Sequence, residues 1–143
     1  MTKLLKPLWQ FARDNNLGFS DDTHDKFKIL YKGCFIDGKV AQDDLWLTCV
    51  VHQFGTELKR FSHRSLTEGV IADAHRRAAP YGVMVRYVEI GCYAMLEMNI
   101  PLSTLTSANV GEKLDDFLCC VDACRLYFTV NMRKYETRVK PEG

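Results

Sequence analysis

The chain has 143 residues, with 19 Lys and Arg against 18 Asp and Glu and a hydrophobic fraction of 47%. That length fits one domain that buries about two thirds of its unfolded surface, and the composition excludes disordered, collagen-like and low-complexity classes. A net charge of +1 excludes a whole-molecule field for steering onto nucleic acid or anionic lipid, so any such binding needs a local patch.

In "LLKPLWQFARDNN" the apolar Leu4, Leu5, Leu8, Phe11 and Ala12 recur at helical spacing, which predicts a first amphipathic helix with Pro7 in its first turn and Gly18 as its terminator. The same polar and proline interruptions break any signal-peptide core, and no apolar run approaches the ~20 residues of a membrane span. "KFKILYKGCFIDGKVAQDDLWLTCVVHQ" is rich in β-branched and aromatic residues and reads as three antiparallel strands near 27–32, 34–41 and 45–52. The Asp37-Gly38 pair is alternatively the turn of one longer hairpin. Ser65 and Glu68 match a capping box for a helix over 66–79, stopped by Pro80 and Gly82. Strands over 83–89 and 93–99, folded back at Gly91, precede a last helix over 111–128 with its apolar face at Leu114, Phe117, Leu118, Val121 and Phe128. The expected fold is α+β, an antiparallel sheet of about five strands with helices packed on it, in the order α-β-β-β-α-β-β-α. Residues 1–128 form the domain and 129–143 a C-terminal tail.

The stretch "FLCCVDAC" carries the densest group of reactive side chains. On a helical wheel Cys124 sits about 40° from the centre of the apolar face, Cys120 about 80°, and Cys119 nearly opposite. No C-x2-C spacing accompanies them, and on a strand Cys49 and His52 point to opposite faces, so the six cysteines read as free thiols in a reducing cytoplasm, with no metal and no cofactor. His24, His52, His63 and His75 lack a triad context, and the pairs Asp43-Asp44 and Asp115-Asp116 read as solvated charge. No catalytic residue is expected. Lys59, Arg60, Arg64, Arg76 and Arg77 form a basic patch before and within the second helix, without a recognition-helix or zinc-finger signature.

The stretch "CYAMLEMNIPLSTLTSANVGEKLDDFLCCVDACRLYF", a strand, a Pro-Leu exit and an amphipathic helix ending in an aromatic, resembles the C-terminal half of the bacterial type III secretion chaperone-like superfamily, including YbjN-type proteins. With the preceding helix and meander the resemblance covers residues 4–128. It implies a small, commonly dimeric α+β protein that binds an extended segment of a client or regulates without catalysis.

A sheet with helices on one face leaves its other face or an edge open to a partner. Tyr31, Phe35, Trp46 and Tyr93 are the strand residues expected there. Arg125 falls within the apolar arc of the last helix, either as an end-of-helix arginine reaching for solvent or as an interface contact. The expected function is a cytoplasmic, non-catalytic, chaperone-like module that binds another protein and works as a homodimer, with nucleic acid and membrane not expected as partners. The alternative is a small-molecule sensor with a pocket between helix and sheet.

Overall fold

The computed structural model describes residues 6–23, 26–55 and 61–138, without the side chains of 20–23 and 134–138. Leu4, Leu5, His24, Lys59 and Arg60 lie outside the described residues. The elements are α1 (Lys6–Asp14), β1 (Gly18–Thr23), β2 (Lys26–Tyr31), β3 (Cys34–Ala41), β4 (Asp44–Gln53), α2 (His63–Leu66), α3 (Ala72–Ala78), β5 (Val83–Val88), β6 (Tyr93–Pro101) and α4 (Val110–Arg138). A π-helical turn over Thr67–Ile71 joins α2 to α3. The strands form one six-stranded antiparallel sheet in the order β1-β2-β3-β4-β6-β5, which confirms the α+β class. The chain forms two compact units, one of residues 1–49 and 97–119 and one of residues 50–96 and 120–143.

In the first unit the sequence period of two sets the strand faces. β2 buries Phe27, Ile29 and Tyr31, and β3 buries Cys34, Ile36 and Gly38, with the residues between them exposed. Lys32 and Gly33 both take positive φ, 48° and 78°, the conformation required by a two-residue turn joining right-twisted strands. Register then follows, with Tyr31 opposite Cys34, Leu30 opposite Phe35 and Phe27 opposite Gly38. Asp37-Gly38 is therefore strand interior and not a turn. Gly38 is required by close approach, because a Cβ there would stand 1.9 Å from Phe27 Cζ. Above this sheet lie Leu8 and Ala12 of α1 and Val110, Leu114 and Phe117 of α4, all buried. Burial of Phe27 and Phe117 contributes about 2 to 3 kcal/mol each.

The sixth strand, β1, is the element absent from the sequence-based order. Its sequence GFSDDT is short and polar, without an apolar alternation to announce it. Gly18 begins this strand and does not end α1. Asn16, at φ 54°, makes the left-handed exit, and the Leu17 amide donates to the Ala12 carbonyl at 2.8 Å.

In the second unit α2 begins at His63, three residues before the expected start, because Ser62 and not Ser65 caps it. The Ser65 amide donates to Ser62 Oγ at 3.1 Å, and Glu68 is engaged by Arg64 at 3.0 Å. Pro80 and Gly82 end this helical segment as expected, with Gly82 at φ 76°. In the β5–β6 turn the left-handed residue is Cys92, at φ 55°, not Gly91. The Gln53 side-chain Nε2 donates to the carbonyls of Gly91 and Cys92 at 2.8 and 3.0 Å. The last helix does not stop near 128 but continues to Arg138.

Within this unit Val121, Cys124, Phe128 and Met132 of α4 are buried with Phe54, Val70, Ala74 and Leu96. The cysteine positions follow the wheel: Cys124 is buried, Cys120 intermediate and Cys119 exposed. Burial, and then the neighbouring Cys120, push the Cys124 thiol up to about 11, so it stays a neutral core group at physiological pH.

Candidate partner-binding face

The alternation that buries Phe27, Ile29 and Tyr31 turns Lys26, Lys28 and Leu30 outward, and the β3 register sets Lys39, Asp37 and Phe35 opposite them in that order. Trp46 and Thr48 of β4, both half-buried, lie opposite Lys39 and Asp37. The first unit thus presents an open sheet face with three cross-strand rows. Leu30 and Phe35 make an apolar row in which the phenyl ring is 74% exposed. Lys28 and Asp37 make a charge-matched row, and Lys26, Lys39 and Trp46 make a basic and aromatic one.

Of the four aromatic residues expected on this face, Phe35 and Trp46 are brought together and Tyr31 is not. Tyr31 is 6% exposed and belongs to the core. Its ring meets Phe11 of α1 at a centroid distance of 6.1 Å, and its hydroxyl donates to Asp115 Oδ1 of α4 at 2.6 Å. Lys32 Nζ reaches the same carboxylate oxygen at 2.7 Å. Lys32, and then the Tyr31 hydroxyl, hold Asp115 below the usual carboxylate range, while burial, and then Asp115, raise Tyr31. Asp115 is therefore a tie to β2 and its turn, where a solvated charge was expected. Leu30 is the face residue that sequence reasoning missed. The signal was available in the alternation of Phe27, Ile29 and Tyr31.

Tyr93 and Arg125 belong to the second unit, where Tyr93 is half-buried. The Arg125 guanidinium donates to the Val50 carbonyl at 3.1 Å and sits mid-helix, which removes the end-of-helix explanation. It is exposed because the buried face of α4 runs through Val121, Cys124, Phe128 and Met132. The described arginines of the basic patch meet acids on their own helical segment. Arg64 pairs with Glu68, and Arg76 and Arg77 pair with Asp73 at 3.2 and 3.1 Å. The Tyr127 hydroxyl also donates to Asp73. That bond first, then Arg77 and Arg76, keep Asp73 below its ordinary value.

The histidines of the second unit are likewise engaged. His63 Nδ1 bonds the Tyr87 hydroxyl, His52 stacks on Phe128 with centroids 5.4 Å apart, and His75 Nδ1 accepts from the Val85 amide at 3.2 Å. The last bond occupies a main-chain donor of β5, the terminal strand of the sheet. Among the described residues no three His, Cys, Asp or Glu side chains gather into a metal-holding group, and no helix is long and apolar enough to cross a membrane.

No protein-family model matches the sequence, and no curated protein matches it. Solved structures do match. A chain of the HopA1–SchA chaperone–effector complex aligns at a TM-score of 0.61 and 15% identity, covering 85% of this chain and 94% of that one. A chain of the ExsC–ExsE complex aligns at 0.60 and 13%, covering 86% and 91%. An uncharacterized protein from Methanothermobacter thermautotrophicus aligns at 0.61 and 12%, covering 92% and 98%. At these identities the likeness is one of fold, and the chain has the type III secretion chaperone-like fold expected from its element order.

Proposed function

We propose that this chain is a non-catalytic, cytoplasmic, chaperone-like module of a bacterial cell that binds an extended segment of a partner protein on the outer face of β2, β3 and β4. The observation that carries the reading is the exposed Leu30–Phe35 row, with Phe35 74% exposed on a strand whose other face is buried. An aromatic ring held on a rigid sheet is the kind of anchor that fills a partner's apolar pocket at low entropic cost. The likeness to a chaperone–effector complex supports a protein as the occupant, and the half-buried Trp46 extends the same surface. The terminal strand β5 is a weaker docking edge, since His75 already takes up the Val85 amide.

The homodimer belongs to the same reading. On α4 the exposed Ala123, Leu126 and Val130 fall at spacings of three and four, the repeat by which two helices interlock. Leu126→Asp is expected to convert a dimer to monomer in sedimentation without loss of helical circular dichroism.

The test of the partner-binding reading is affinity capture from the source cell with the wild-type chain and with Leu30→Ser/Phe35→Ser, followed by mass spectrometry and reconstitution with the purified partner. One protein recovered in stoichiometric yield, and lost at least tenfold in the variant while its circular dichroism is retained, is the expected result. Equal capture by both chains, or recovery of nucleic acid or a small molecule in place of protein, overturns it.

A further inference from the structure

We propose that the segment bound on this face is acidic, carrying a carboxylate four residues from an apolar anchor. The inference rests on the partner-binding reading of the same face and adds the partner's chemistry. Its basis is the Lys26–Lys39–Trp46 row. Register places Lys26 directly opposite Lys39, and both side chains are exposed. Like charges in that position destabilise an antiparallel pair. Among the described side chains no carboxylate pairs with either lysine. An anion over the row relieves the repulsion, and Trp46 opposite Lys39 gives the aliphatic stem of the anion-bearing residue an apolar floor.

Geometry sets the spacing. Lys26 and Leu30 are four residues apart on β2, about 13 Å along an extended strand. An extended partner lying along β2 and β3 points alternate side chains at the sheet, so its residues i and i+4 meet the apolar row and the basic row. The residue at i+2 meets the Lys28–Asp37 row, which is already matched in charge and selects neither sign. The occupant favoured is thus a protein segment of pattern apolar-x-x-x-acidic. Aromatic and lysine side chains on a sheet also suit single-stranded RNA, and that alternative is an arm of the test.

The experiment titrates the full-length protein, followed by backbone amide NMR, with capped Ser/Thr-based nonapeptides bearing phenylalanine and, four residues later, glutamate, glutamine or lysine, and separately with poly(U) RNA. Shifts are expected on β2 and β3 with the glutamate peptide, about three- to tenfold weaker binding with glutamine, and weaker still with lysine, the range expected for two exposed ion pairs. Lys26→Glu/Lys39→Glu is expected to invert the order, favouring the lysine peptide. That inversion requires the variant to be folded, which the retained amide spectrum reports. Equal binding of the glutamate and glutamine peptides overturns the acidic preference, and if that binding is lost in Phe35→Ser the partner-binding reading survives alone. Absence of shifts from every peptide, or poly(U) shifting the same amides when the peptides do not, overturns the inference. Unchanged capture by the Leu30→Ser/Phe35→Ser chain removes the underlying reading as well.

Discussion

The two basic regions of this molecule carry similar side chains and opposite electrostatics. On α2 and α3 the arginines stand three or four residues from their own acids, so Arg64 meets Glu68, and Arg76 and Arg77 both meet Asp73. On the sheet the partners are chosen by register, and Lys26 meets Lys39. A helix neutralises charge locally because i, i+3 and i, i+4 neighbours come from one short stretch. A strand cannot, because its nearest neighbours lie on another strand. The described arginines of the patch that looks most basic in the sequence are therefore the quieter group, and Lys26 of β2 with Lys39 of β3 form the like-charged row.

The comparison depends on register, so the largest expected effect comes from attacking it. Gly38→Ala drives a Cβ into the buried Phe27 ring beside the Lys26–Lys39 pair and is expected to cost about 3 kcal/mol in urea unfolding. A loss under about 1 kcal/mol means the ring yields and the register is not held there.

Removing the acid at the centre of the helical region comes next. Asp73→Ala strips the acceptor of Tyr127 and the counter-ion of Arg76 and Arg77, for an expected loss of about 1 to 2 kcal/mol. Asp73 is held below its ordinary 3.8 by the Tyr127 bond first and then by Arg77 and Arg76. Its stabilisation is therefore complete above about pH 5 and disappears as pH falls through the lowered value. Urea midpoints of wild type and Asp73→Asn should converge between pH 5 and 2, and a constant gap across that range contradicts the assignment.

Sign separates the two regions more sharply than size. Lys39→Glu is expected to stabilise by roughly 0.5 kcal/mol, replacing repulsion from Lys26 by attraction, with the gain shrinking in high salt. Arg77→Glu should destabilise. The same sign in both variants would show that the two regions are electrostatically alike. The smallest effect belongs to Arg64→Ala, which loses one exposed i, i+4 pair and is expected to cost about 0.3 kcal/mol. A loss near 1 kcal/mol assigns Arg64 a further contact.

Local pattern alone determined much of this protein. The period of two gave away β2 to β6, the period of 3.6 the three helical segments, and the wheel the inward Cys124 and outward Cys119, because each of these depends on neighbours within a few residues. Tertiary structure decided the rest. β1 forms because β2 offers it an edge, and its own GFSDDT carries no apolar alternation. Gly38 resembles a turn residue until the Phe27 ring is seen above it. Tyr31 and Phe35 are equally aromatic in sequence, yet one is tied to Asp115 in the core and the other stands in solvent. The meeting of Lys26 with Lys39 is likewise invisible in a one-dimensional count of charge. A side chain's face follows from parity within its strand, but its partner follows from pairing between strands, and pairing is a property of the folded chain.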